Sequence, residues 1–176
     1  MTMMTEQRQA LAGFLASTPA RVSRLVDSLS ESDARWKPSP QEFSALEQVC
    51  HLSDLEREGY GVRIEKLIQE QQPFLPDFDG GKIAAERDYN TRSLDDALAA
   101  FTLAREENMR AIASLSLADF ERGGTLETVG HITLETLLSM MREHDEGHLR
   151  ELGELRERLL ARTKTAELSS LNETDT

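Results

Sequence analysis

The chain has 176 residues, 39% of them hydrophobic and 5% aromatic, with a formal charge of −12. That length buries a core without disulfide staples, and the only cysteine, Cys50, excludes an intrachain disulfide and points to a reducing cytoplasm. The acidic, evenly interspersed charge argues against nucleic acid or an acidic membrane surface as partner, no segment approaches the roughly 20 apolar residues of a membrane span, and MTMMTEQRQALAGFL lacks the basic start of a signal peptide.

In chain order, a first helix is predicted from about Thr5 to Leu29, with Leu11, Phe14, Leu15, Val22, Leu25, Val26 and Leu29 close to a 3.6 period. Pro19 either kinks it or restarts it behind a Thr18 cap. RWKPSPQEF is a break, because Pro38 and Pro40 cannot sit inside a helix. A second helix follows from about Ser44 to Gln71. Its apolar residues cover two adjoining faces, Leu46, Val49, Cys50, Tyr60, Ile64 and Leu67 on one and Leu52, Leu55 and Val62 beside it, so it touches more than one neighbour. PFLPDFDGG ends it, and a long polar connection with room for a helical turn at Lys82 to Glu86 leads to Ser93. Ser93 caps a third helix that runs to about Leu115, with Asp95 and Asp96 in the first turn where the dipole favours them. A glycine-containing loop precedes a fourth helix from Thr133 to about Leu160. No strand is expected. The reading is all-α: one four-helix-bundle domain over residues 5–161, up-down-down-up because the long crossover lets helices two and three run parallel, and a flexible tail over 162–176.

The fourth helix carries EHDEGHLREL. On a wheel at 100° per residue its apolar stripe is Leu134, Leu137, Leu138, Met141, Leu152, Leu155 and Leu159, and His144 and His148 fill the gap in that stripe. Both imidazoles therefore point inward. Buried imidazoles need partners, and two arrangements provide them: carboxylates on other helices, or one cation reached by both rings, since i and i+4 side chains project together. His51 on the second helix adds a third nitrogen. It lies beside Leu52 and Leu55, with Glu47, Asp54 and Glu58 at helical spacings that suit orientation of a ligand ring. Three protein nitrogens leave an open coordination position, which is the pattern of catalytic sites. His131, next to Gly130, reads as a loop or capping residue. HDEGH is similar to the zincin HExxH but has Asp145 where the catalytic glutamate belongs, which argues against a peptidase. Cys50 points about 100° away from His51 and reads as a small buried hydrophobe.

Three segments carry a family resemblance: W-x-P-x-P in Trp36 to Pro40, then FSALEQVCHLSDLE, then GHITLETLLSMMREHDEGHL. In order and spacing they resemble the DinB-like (YfiT-like) superfamily over about Thr5 to Leu160. The resemblance implies an up-down-down-up bundle holding one divalent metal, often nickel or zinc, through His51, His144 and His148. It also implies relatives of several kinds: bacillithiol-dependent S-transferases, a mycothiol-dependent maleylpyruvate isomerase, and proteins described only as metal-dependent hydrolases.

The expected activity is transfer of a small-molecule thiol to an electrophilic substrate, because a metal delivers as thiolate a sulfur that is mostly protonated at neutral pH. The crossover then helps to shape the pocket, with Asp79, Arg87, Tyr89 and Asn90 either polar contacts or ordinary loop residues. A hydrolase is the alternative, with Asp145 or Glu58 as catalytic base to metal-activated water. A non-catalytic bundle, with histidines satisfying one another or holding a structural metal, is a third. Val26 and Leu29, and the apolar Phe74, Leu75 and Phe78, suggest surface for a homodimer burying on the order of 1,000 Å².

Overall fold

The computed structural model describes the backbone of residues 2–173 and the side chains of residues 6–165. Helix α1 (Thr2–Val26) passes through Pro19 without restarting. Proline has no N–H, so the Leu15 carbonyl loses its intrahelical donor, and Arg105 replaces it, Nη1 donating at 2.8 Å. A single turn, α2 (Glu31–Ala34), leads to α3 (Ala45–Asp54), which opens on a capping box between Ser44 and Glu47. The same helix widens into a π-helical stretch over Leu55–Gly61 and continues as α4 (Val62–Gln69). The crossover holds β1 (Phe74–Leu75), α5 (Gly80–Glu86) and a 3-10 turn at Tyr89–Thr91. Then come α6 (Leu94–Ala113), capped by Ser93, β2 (Gly123–Leu126), β3 (Gly130–Thr133) and α7 (Leu134–Glu173).

Four helical rods, α1, α3–α4, α6 and α7, form the bundle. Glu56 meets Arg105 and Asn108, and farther along Arg122, at the end of the 3-10 turn Leu117–Glu121 that follows α6, donates to the Leu67 and Glu70 carbonyls at the end of α4. The second and third rods therefore run in the same direction. Arg8 pairs with Glu135 and Arg156 donates to the Arg24 carbonyl, so α1 and α7 also run together. Contacts of His51 with His144 and of Gln48 with His148 set the two pairs antiparallel.

Two expectations are corrected. A three-stranded sheet, β1 parallel to β2 and β2 antiparallel to β3, closes one end of the bundle. Strands of two to four residues are too short to show a period of two, and the glycines that suggested a loop serve close approach: a Cβ on Gly124 would sit 2.7 Å from the Pro73 carbonyl. Second, α7 continues to Glu173 rather than ending near Leu160, so much of the expected 162–176 tail is helical, and 174–176 lie outside the described residues. No helix among the described residues is long and apolar enough to cross a membrane.

The apolar core is split in two. One cluster gathers Val22, Leu46, Leu52, Phe101 and Leu152, the other Leu15, Leu55, Tyr60, Ile112 and Met141. Between them each rod contributes buried polar groups: Thr18, then His51 and Glu56, then Arg105, then Asp145, with His144 and His148 half-buried beside them.

Candidate metal centre

The π-helical stretch begins one turn after His51, and α7 carries His144 and His148 one turn apart. Across the antiparallel crossing the Nε2 of His144 lies 3.1 Å from the Nε2 of His51 and 3.2 Å from that of His148. One ligand atom from each of the three rings lies within 4.8 Å of the other two. Nitrogens bound to one cation at the usual Zn–N length and a tetrahedral angle stand about 3.3 Å apart. The spacing fits a metal.

Protonation supports the same conclusion. Burial is the main cause that lowers the pKa of all three rings: His51 to about 4 and His148 to about 3, with His144 lowered as well. The imidazoles are therefore neutral at pH 7. His148 Nδ1 stands 3.0 Å from the Gln48 carboxamide oxygen, so Nδ1 carries the proton and Nε2 a bare lone pair. A ring nitrogen has one in-plane hydrogen or one lone pair, never two. His144 Nε2 therefore cannot satisfy both His51 and His148, and no set of neutral tautomers closes the cluster. A cation closes it.

The surroundings are apolar and crowded. Phe43 and Phe78 flank His51 with ring centroids 5.9 and 6.0 Å away, and Tyr60 meets His144 edge-on at 6.1 Å. Gly80, at the start of α5, covers the His51 ring so closely that a Cβ there would lie 2.6 Å from Nδ1. The Nδ1 atoms of His51 and His144 are buried without a partner. This corrects the orienting role expected of the acidic neighbours. Glu47 completes the Ser44 cap and binds Lys37, and Asp54 takes Arg87 and the Tyr89 hydroxyl. Glu58 takes Arg87 and Arg57.

The two proposed catalytic carboxylates are also committed elsewhere. Asp145 receives two hydrogen bonds from Arg105, at 2.7 and 3.1 Å, in the buried belt. Glu58 is held by Arg87 foremost, which drops its pKa to about 2 and makes it a poor base at neutral pH. In the crossover, Asp79 caps α5, and Arg87 and Tyr89 bind Asp54. Asn90 bridges Ser44 and the Arg35 carbonyl, so all four hold the crossover in place. His131 is on β3 rather than in a loop, exposed and folded over Gly123. Cys50 is buried, pointing at the Tyr89 carbonyl, with burial raising its thiol to about 11. Sequence reasoning missed Gln48. Its signal was available: a glutamine three residues before His51 shares the inward face.

The model of the DinB superfamily matches residues 15–152. The chain belongs to the DinB superfamily. Among solved structures it is similar to YfiT from Bacillus subtilis, described as a probable metal-dependent hydrolase with an unusual four-helix bundle topology. That match has a TM-score of 0.81 and 22% identity and covers 88% of each chain, which establishes the fold. No curated protein matches the sequence.

Proposed function

We propose that the protein is a divalent-metal-dependent enzyme that transfers a low-molecular-weight thiol, of the bacillithiol or mycothiol type, to an electrophilic substrate. Nickel or zinc would be held by His51, His144 and His148. The observation that supports this reading is three neutral imidazole nitrogens converging, with Asp145 and Glu58 held by arginines and Glu151 at the Nδ1 of His148 rather than at the converging nitrogens. When bound, the cation supplies a Lewis-acid position at which a thiol of ordinary pKa near 8.5 is available as thiolate at neutral pH.

The chain's own contribution is to keep three lone pairs ready and water sparse. Burial keeps the rings neutral, Gln48 fixes the His148 tautomer, and Phe43, Phe78 and Tyr60 form the apolar wall. A thiol of pKa near 8.5 gives its proton to solvent more readily than water of pKa about 15.7, so thiol transfer leans less on a protein base than hydrolysis does. Arginines hold both Asp145 and Glu58, and Glu151, 3.6 Å from His148 Nδ1, stands on the side of that ring away from Nε2. The description of YfiT favours a second reading, a hydrolase. Cobalt-substituted protein separates the two: a sulfur-to-metal charge-transfer band on adding bacillithiol, mycothiol or glutathione supports transfer. Ester hydrolysis with no band supports hydrolysis. Thiol chemistry also suits a reducing cytoplasm.

We further propose a homodimer, with a narrower basis than the sequence suggested. Val26 and Leu75 are buried in the core, Leu29 packs partly buried against it and Phe78 packs on His51, which leaves Phe74, 56% exposed, as the exposed one of the apolar residues that suggested an interface. Light scattering at micromolar concentration tests it, and a mass of 19.8 kDa throughout refutes it.

A further inference from the structure

A cation held by His51, His144 and His148 meets no charge among its own ligands. All three rings are neutral at pH 7, and Phe43, Phe78 and Tyr60 wall them with aromatic surface. A divalent ion moved from water into such a place loses hydration that neutral nitrogens offset only in part, unless negative charge stands nearby. The charged groups around the triad therefore bear on how tightly it holds one.

Most of those groups cancel. Lys37 pairs with Glu47. Asp54 and Glu58 are matched by Arg57 and Arg87, and Arg92, 3.9 Å from Asp54, adds further positive charge. Glu151 has no such partner, but its side chain is 52% exposed, where water and salt screen it. The belt around Arg105 is different. Glu56 and Asp145 share that one guanidinium, and all three residues are 1% exposed. Two carboxylates against one guanidinium leave one negative charge in surplus, where screening is weakest. Either carboxylate alone would neutralise Arg105, so the ion pair does not account for the second.

Both carboxylates also stand close to the ligands in the fold. Asp145 follows His144 on α7, and Glu56 lies in the π-helical stretch that begins one turn after His51. Their charge is felt at the rings: after burial, the main cause, Asp145 raises the pKa of His144 and Arg105 lowers it.

We propose that the Glu56–Arg105–Asp145 belt is the counter-charge of the metal centre, and that its surplus negative charge, acting through space, sets the affinity of the triad for a divalent cation. Neither carboxylate ligates the ion or moves a proton. This role rests on the metal reading of the triad and not on the reaction carried out there.

The test is zinc affinity of the full chain, read by competition with a chromogenic chelator. Glu56→Gln and Asp145→Asn each remove one negative charge and leave Arg105 paired with the other carboxylate. Each is expected to weaken zinc binding about ten- to hundredfold, the scale on which groups behind the ligands act, and by the same factor at low and high salt. Glu151→Gln should cost less than about threefold, and nothing at high salt. A charge effect scales with the charge of the ion, so copper(I), titrated without oxygen, should lose half as many powers of ten as zinc in each belt variant. Displaced ligands would weaken both ions alike. Unchanged zinc affinity in Glu56→Gln overturns the proposal. So does an equal loss for the two ions, or a loss confined to Asp145→Asn, beside His144. Thermal melting in chelator checks folding; if neither variant folds, the surplus charge belongs to the fold and the proposal falls. Failure of the metal reading looks different: the unaltered protein then takes up no zinc.

Discussion

Two groups of buried polar side chains lie within one turn of each other on α7, and they differ in one respect. The cluster around Arg105 joins all four rods: Leu15 on the first, Glu56 on the second, Arg105 itself on the third and Asp145 on the fourth. Asn108 donates to the remaining Glu56 oxygen at 2.8 Å, and Arg105 Nε stands 2.8 Å from the same atom, an electrostatic contact without a directed N–H. Burial would depress the guanidinium, but Glu56 and Asp145 outweigh it and Arg105 stays charged. The histidine triad is the reverse. Its nitrogens face one another and two others face nothing. A polar cluster closed by protein holds a fold together; one that protein cannot close is built for something that arrives.

The largest effect expected is at Arg105. Arg105→Met leaves Glu56 and Asp145 as uncompensated buried carboxylates and frees the Leu15 carbonyl. Breaking a buried pair in this way costs about 3–5 kcal/mol. Urea unfolding measures it, and a loss under 1 kcal/mol shows that the cluster does not bind the rods together.

Acid should separate the two groups next. The folded pKa of His51, about 4, lies below the unfolded value of 6.5, and His148 lies lower still, at about 3. Above pH 6.5 neither state takes a proton. As pH falls from there towards 4 the unfolded chain protonates and the fold does not, so metal-free protein loses stability, by about 3 kcal/mol at pH 4 for His51 alone. Chemical denaturation in chelator at pH 7.5, 6, 5 and 4 reads the slope. A flat profile between pH 6.5 and 4 contradicts the assignment of neutral, buried rings.

A smaller change reverses sign with metal. His144→Leu removes the nitrogen that cannot satisfy both neighbours. In chelator the variant is expected to be more stable than the parent by about 1–2 kcal/mol, the scale of a relieved unsatisfied polar group. Zinc should raise the melting temperature of the parent and leave the variant unmoved. Equal response to zinc in both refutes the triad as the binding site.

These contrasts also mark what could be read in advance. The inward direction of His144 and His148 was legible because they interrupt an otherwise unbroken apolar stripe, and a 3.6 period is a strong signal over that length. The bundle followed from the same periodicity. Arg105 was not legible, because an arginine among Ala104, Glu106 and Glu107 looks like any exposed helix residue until Pro19 is seen to free a carbonyl ninety positions away. The π-helical stretch at Leu55–Gly61 shifts residues around the rod from where an α-helical wheel puts them, so the role of Glu56 and the pairing of Glu58 with Arg87 were hidden. Long-range partners decide these cases, and local pattern does not contain them.

The smallest effect on stability falls where the crossover covers the centre. Gly80 stands against the His51 ring, which Phe43, Phe78 and His144 hold on its other sides. A methyl group there must move the ring or lift α5, because an imidazole clamped by two phenyl rings has no free rotamer. Overpacking of this kind costs about 1–3 kcal/mol, while alanine in place of glycine returns up to about 1 kcal/mol of helix propensity to α5. Gly80→Ala should therefore lower overall stability by only about 1 kcal/mol. Its effect on the centre should be larger in proportion, since moving the His51 ring draws Nε2 away from its 3.1 Å approach to His144. Zinc affinity, read by competition with a chromogenic chelator, is expected to fall about tenfold, the lower end of what loss of ligand orientation costs. Gly81→Ala is the control, because a Cβ there meets only Asp79 Oδ1 at 3.8 Å. If the two variants bind zinc equally well, the crossover is no part of the metal centre and the cover over His51 is only packing.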